Sequence, residues 1–202
     1  MTRWQRFAER WGNCQDCPLH RTRQHVVLAK GQIPCDIMFV GEAPGQSEDV
    51  IGKPFIGPAG RLLDEMIKEV IGDPNSVTPC GVPYEKWSTL RLAFTNLICC
   101  IPLDEETLAK TEQPPVESIM ACQQRLREFV DLARPKLMVL VGSLAEDWID
   151  SRLRGGLIVD CPKVVITHPA AILRSNVAQQ GTAVRRCVVK LRTAVKEVFG
   201  DA

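Results

Sequence analysis

Two of the chain's nine cysteines stand at Cys14 and Cys17, a spacing that presents two thiolates to one metal centre. By itself the pair suits zinc, redox exchange or no chemistry at all. It precedes the first expected strand, whereas a thioredoxin-like pair would sit within a βαβ unit. A second concentration runs from Gly41-Glu42-Ala43-Pro44-Gly45 through Glu48-Asp49 to Gly52-Lys53-Pro54-Phe55-Ile56-Gly57-Pro58-Ala59-Gly60. Glycines there let backbone approach a ligand, and Pro44, Pro54 and Pro58 stiffen the loop. The order of a nucleotide P-loop and the spacing of a dinucleotide fingerprint are both absent, which disfavours phosphate cradles of those two kinds. Asn96 offers an amide donor and acceptor. His168 is one of only three histidines and precedes a proline. Among the carboxylates Glu42 is the one held in the rigid loop, with Glu48 and Asp49 as neighbouring alternatives.

These residues follow the ends of four short apolar runs that read as buried strands: Asp36 to Val40, Leu92 to Leu97, Leu137 to Val141 and Lys163 to Thr167. Helical periodicity lies between them, over Gly60 to Ile71, Val116 to Leu132, Ser143 to Ile149 with Ser143 as N-cap, and Thr182 to Val198. Alternating strands and helices predict one α/β domain over residues 1–202, a three-layer α/β/α sandwich with a central, mostly parallel four-stranded sheet. In an open parallel sheet ligands sit beyond the carboxyl ends of the strands, so all four ends are expected to face one crevice. Gly72 to Trp87 and Ile101 to Pro115 read as long loops.

The chain has 202 residues with 45% apolar and 24% charged side chains, enough to bury a core and unlike a disordered chain. No apolar run approaches the ~20 residues of a membrane span, and Met1 to Gly12 lacks the apolar core of a signal peptide. A cytoplasmic protein is expected. An odd number of cysteines in a reducing compartment argues against a disulfide framework and for metal or cluster ligands among them. The formal net charge of +1 is unevenly spread. Residues 1–30 and 169–202 each carry six Lys/Arg against two Asp/Glu, whereas 31–168 carry thirteen against twenty. Basic ends around an acidic middle are compatible with a local nucleic-acid footprint or with solvated helix faces.

The run Gly41 to Asp64 closely resembles the first motif of the family 4 uracil-DNA glycosylases, the bacterial and archaeal branch that carries an iron-sulfur cluster. The resemblance continues through Thr95-Asn96, Cys100-Ile101-Pro102, Arg134-Pro135, Val141-Gly142 and Thr167-His168-Pro169, in order along nearly the whole chain. It implies a DNA glycosylase that flips a damaged base, most simply uracil, out of DNA and hydrolyses its N-glycosidic bond in base-excision repair. It also implies that Cys14, Cys17, Cys100 and Cys122 hold a four-iron four-sulfur cluster, zinc being the alternative that four thiolates also suit. Cys99 competes with Cys100, but only Cys100 stands two residues before Pro102. Base binding falls to Gly41, to Phe55 as the stacking ring, and to Asn96 as the reader of the uracil edge. Catalysis falls to His168 and to Glu42, which would steady the positive charge growing on the sugar or orient water. Leu173 and Arg174 would lie on a loop entering the minor groove, one as an apolar wedge and the other against phosphate. The implied partner is DNA, with no membrane, and the implied state is a monomer.

The chain departs from the family in three places. It reads His-Pro-Ala at 168–170 where the family has His-Pro-Ser, so a hydroxyl is missing. It carries Leu103-Asp104-Glu105-Glu106 where the family has a basic loop, and three acids beside a DNA channel repel phosphate. Gly72 to Arg91 is longer than the usual link. No basic insert ending in histidine is present, so trapping of the sugar on a histidine is not expected. These departures sustain a rival: a superfamily member that binds DNA or a modified base without ordinary uracil excision. A cluster-bearing redox or sensing protein is a further class.

Overall fold

A computed structural model describes residues 1–72, 89–104, 106–108, 113–149 and 159–200. The expected loop over Gly72 to Trp87 lies outside the described residues from position 73 on, as do Glu105 and Cys80. In chain order the elements are α1 (Arg3–Trp11), a short 3-10 turn (Pro18–Arg21), β1 (Lys30–Gly31), β2 (Ile37–Gly41), α2 (Gln46–Ile51), α3 (Pro58–Ile71), β3 (Leu92–Asn96), α4 (Val116–Ala133), β4 (Leu137–Val141), α5 (Ser143–Trp148), β5 (Lys163–Ile166), α6 (Pro169–Arg174) and α7 (Val177–Phe199).

The sheet has five strands in the order β1-β3-β2-β4-β5. The four expected strands form its parallel body, with Gly41 opposite Asn96 and Ile37 opposite Leu137. The fifth, β1, corrects the expected count: Lys30 and Gly31 pair antiparallel to Phe94 and Ala93 on the β3 edge. Two residues with no hydrophobic alternation leave no strand signature, and only the free edge of β3 recruits them. Helix α5 differs in its cap as well. Gly142, at φ +102°, is the N-cap, and Ser143 is the first helical residue. The glycine is needed because β4 must turn abruptly into the helix.

Both faces of the sheet are covered, as the near-continuous apolar strands require. Met38, Val40, Met138 and Leu140 point to a core shared with Phe7, Trp11, Ile119, Leu126, Phe129 and Trp148 of α1, α4 and α5. Ile37, Phe39, Leu137, Val139 and Val141 point the other way, toward Leu63, Met66, Val70, Val188, Leu191 and Val195 of α3 and α7. Helix α1 was not legible as a helix from its mixed Arg and Trp content. A capping box starts it, with Thr2 and Gln5 bonding each other's backbone N–H, and it docks on α4 where Trp11 Nε1 donates to Glu128 at 2.7 Å. Among the described residues no helix is long and apolar enough to cross a membrane.

Opposite the crevice, one carboxylate ties the strand starts together. Asp36 accepts from Arg91 N at 3.0 Å and Arg91 Nε at 3.1 Å, and pairs with Lys136 at 2.9 Å. Burial works against the charge, but the Arg91 and Lys136 bonds outweigh it and hold the Asp36 carboxyl far below the usual carboxylate range. A carboxyl depressed in the folded state stabilises above its unfolded pKa of about 4 and loses that contribution as pH falls through the folded value. Asp36→Asn is expected to cost about 1–2 kcal/mol at neutral pH. In thermal melts the gap to wild type should narrow steadily below about pH 4.

Candidate active site

The parallel register brings the ends of β2, β3, β4 and β5 to one edge of the sheet, where two cavities abut. One, about 400 Å³, is lined by Phe55, Asn96, Glu48, Gly57 and Gly60 among others. Its neighbour, about 390 Å³, is lined by Glu42, Gly142, Thr167, Arg174 and Lys190. Ala43, His168 and Ala170 border both. Thus Glu42, Phe55, Asn96 and His168, which lie on four separate segments, meet around one divided crevice.

Close packing without side chains makes this possible. A Cβ at Gly41 would lie 2.5 Å from Asn96 Oδ1 and 2.6 Å from Phe55 Cζ, so the amide and the ring close over the strand end only because Gly41 is bare. The end of β4 shows the same device. A Cβ at Gly142 would lie 2.5 Å from Glu42 Oε1 and 3.2 Å from His168 Cβ. Gly142 therefore sits in the wedge between the two candidate catalytic groups, a role that its glycine identity alone could not reveal.

Phe55 is buried at φ +54°, in the left-handed region. Its ring tilts against Phe94, centroids 5.8 Å apart, and its carbonyl accepts from Lys30 Nζ at 2.7 Å. Lys30 also lies 4.7 Å from the Phe94 ring centroid, and burial lowers its pKa. The edge strand missed in the sequence thus delivers the cation that pins the Phe55 backbone. Asn96 is 3% exposed at the end of β3. His168 caps α6, and its Nδ1 accepts from Ala170 N–H at 3.1 Å. An accepting Nδ1 places the proton of a neutral ring on Nε2. Because the bond comes from the backbone, it survives alanine in place of the family's serine.

Glu48 and Asp49 are buried, and backbone amides take up their carboxylates. Glu48 accepts from Gly45 N at 3.1 Å, Ile56 N at 2.9 Å and Gly57 N at 2.6 Å, closing the glycine-rich loop on itself. Asp49 accepts from Gln24 N at 3.0 Å and His25 N at 3.3 Å. Leu173 and Arg174 lie on a short helix, α6, rather than on a loop. Pro169 starts it and the His168 cap supports it. Leu173 is exposed, and Arg174 lines the cavity that also holds Glu42. Asp104 turns back on its own loop, accepting from Thr107 N at 2.8 Å and Glu106 N at 3.1 Å.

A separate small cavity lies on the α1/α4 side of the sheet. Cys14, Cys17, Cys99, Cys100 and Cys122 line it together with Arg23 and Arg125. The docking of α1 on α4 brings the N-terminal pair to Cys122. Burial pushes the Cys100 thiol up to about 12, with Arg23 opposing, and raises Cys14 as well. Arg23 Nη1 approaches Cys100 Sγ at 3.4 Å, whereas Cys99 Sγ faces the Leu28 carbonyl at 3.9 Å as a thiol donor would. Arg125, unnoticed in the sequence, is 2% exposed, and among the described residues its Nε–H has no partner. Buried thiols beside guanidinium groups suit an anionic, thiolate-bound group, since binding removes the thiol protons and answers the cations. Among the described residues, no three His, Cys, Asp or Glu side chains are grouped so as to hold a single metal ion.

A family model described as the uracil DNA glycosylase superfamily matches residues 29–192. A type-4 uracil-DNA glycosylase of Thermotoga maritima is 30% identical over 200 residues, covering 94% of this chain and 93% of the relative. One from Pyrobaculum aerophilum is 31% identical over 189 residues, covering 84% of each. Another, from Sulfurisphaera tokodaii, is 33% identical over 141 residues, which is 70% of this chain but only 55% of the relative. The match with the Saccharolobus solfataricus enzyme likewise spans 59% of that relative's length.

The loop that carries Phe55 rests on the Glu48 carboxylate. Glu48→Ala leaves its three amide donors without that acceptor and is expected to cost about 2–4 kcal/mol. Thermal unfolding reads the loss, and amide exchange should quicken at Ile56 and Gly57 before it does in the sheet.

Proposed function

The chain belongs to the uracil DNA glycosylase superfamily, and from that premise we propose that it excises uracil from DNA by hydrolysing the N-glycosidic bond. The observation that carries this reading is the convergence of Glu42, Phe55, Asn96 and His168 on two cavities with a shared wall. A flipped base would occupy the cavity of Phe55 and Asn96, its ring against the phenyl face and its polar edge on the amide. The sugar and flanking phosphate would fall in the neighbouring cavity, where Arg174 and Lys190 supply positive charge.

As the glycosidic bond breaks, electrons move to the base and positive charge grows on the sugar. The Nε2–H favoured by the Ala170 bond gives His168 a donor for the charged base oxygen. Glu42, lining the cavity given to the sugar, steadies the sugar cation and orients the attacking water. Gly142 keeps both groups within reach of one bond. Leu173, exposed at the rim on α6, is the candidate wedge, and a helix presents it with fewer conformations than a loop would.

Cys14, Cys17, Cys100 and Cys122 are the proposed ligands of a four-iron four-sulfur cluster, with Cys99 retained as a buried thiol on the Leu28 carbonyl. Held by these four cysteines, a cluster would join the N-terminal segment, the turn after β3 and α4. The enzyme is proposed to act on DNA as a monomer in the cytoplasm.

Incubation with a uracil-containing oligonucleotide followed by alkaline cleavage tests the reading. Wild type should produce strand breaks, and Glu42→Ala, Asn96→Ala and His168→Ala should each fall by roughly 100-fold or more. Absence of free uracil with wild-type protein would overturn it in favour of a DNA-binding superfamily member.

A further inference from the structure

Arg125 occupies an unusual position for a charged side chain. It lies on the buried face of α4, one residue before Leu126, with 2% of its surface exposed. Its guanidinium reaches across to the end of β3. Nη1 donates to Thr95 Oγ1 at 2.9 Å, and Nη2 donates to the carbonyls of Asn96 at 2.7 Å and Leu97 at 2.8 Å. Those bonds satisfy the fork's outer nitrogens but bring no negative charge. Among the described residues no carboxylate pairs with Arg125, and its Nε–H is without an acceptor. A buried cation with no counter-charge costs several kcal/mol, so a sequence does not retain one there without some compensation. The compensation lies on the other side of the same side chain, because Arg125 lines the cavity of Cys14, Cys17, Cys99, Cys100 and Cys122.

We propose that Arg125 is a positioning residue that joins the two sites. Its charge answers the net negative charge of the thiolate-bound group in the cysteine cavity, and its fork holds the backbone of Asn96, the amide that reads the base. The inference rests on the proposed uracil site and cluster and extends them to a residue that touches neither base nor sugar. It accounts for three features together: the burial of the cation, the open Nε–H, and the bonds to consecutive carbonyls at the strand end. Arginine suits the task where lysine does not, because only a planar fork bridges two carbonyls and a hydroxyl at once.

The two halves of the role separate by substitution. Arg125→Met removes charge and fork, whereas Arg125→Lys keeps the charge and removes the fork. Holoproteins are challenged with an iron chelator while visible absorbance is followed, with no DNA present. The Met variant should lose iron roughly 10–100-fold faster than wild type, and the Lys variant should stay near it. Affinity for an oligonucleotide carrying 2′-fluoro-deoxyuridine, which resists hydrolysis, should weaken roughly tenfold in both variants. In an Asn96→Ala background the same substitutions should have little further effect. Wild-type iron retention by Arg125→Met, or equal losses of affinity with and without Asn96→Ala, would overturn the proposal. Should the Met variant fail to fold, Arg125→Lys decides alone, and undiminished affinity for the fluorinated uracil site overturns it. Failure of the glycosylase reading shows elsewhere, as no uracil release by wild type.

Discussion

At the end of β2 there is no room for a side chain. Gly41 stands beside Asn96 in the parallel register, and both the Asn96 amide and the Phe55 ring close to within contact of the space its Cβ would fill. This steric condition sets the shape of the cavity lined by Phe55 and Asn96. It forces the chain after β2 into a tight loop that must return Phe55 over the strand end in a left-handed conformation, and it makes the loop's closure a matter of hydrogen bonding rather than of burial. Glu48 supplies that closure with a single carboxylate, and Lys30 completes it by holding the Phe55 carbonyl from the opposite edge. A second bare position, Gly142, repeats the arrangement one strand over for Glu42 and His168.

Buried charge in this protein serves the backbone. Asp36, Glu48, Asp49 and Arg125 are all nearly inaccessible, and each bonds main-chain groups that loop or strand ends leave open, Asp36 and Arg125 adding side-chain partners. Asp36 does so at the start of the strands, the others at the crevice end. The choice follows from where backbone goes unpaired: a parallel sheet satisfies its interior, so unpaired N–H and C=O groups collect where strands stop. A charged side chain is the strongest partner for them. Arg125 is the one cation of the four, and it lines the cysteine cavity.

The sequence was legible where chemistry and periodicity coincide. Four apolar runs placed the four parallel strands to within a residue or so, and α3 and α4 were marked by their apolar stripes. Glu42, Asn96 and His168 stood out because they lie at or just past strand ends. Other parts left no such trace. Helix α1 depends on a capping box and on docking against α4. Strand β1 exists because β3 offers a free edge. The acidic pair Glu48-Asp49 reads as a surface turn in one dimension, yet both side chains are interior, because the amides they serve come from positions up to twenty-five residues away. Arg125 carried one usable signal, a lone charge three residues after Cys122 in an otherwise apolar stripe.

What the sequence by itself determined is the sandwich of parallel strands and helices, the edge at which a ligand must bind, and the residue types gathered there, since these follow from local periodicity and from the handedness of βαβ crossovers. It also marked the motif cysteines. Only the tertiary structure decided which of those residues face one another: that Gly41 and Gly142 are gaps filled by neighbours, that His168 takes its bond from a backbone amide and so tolerates Ala170, that Cys100 faces Arg23 while Cys99 turns to Leu28, and that one guanidinium spans the end of β3 and the cysteine cavity. Apart from the local His168 bond, each of these is a contact between segments distant in the chain, set by packing, and packing is a property of the whole fold that no local pattern encodes.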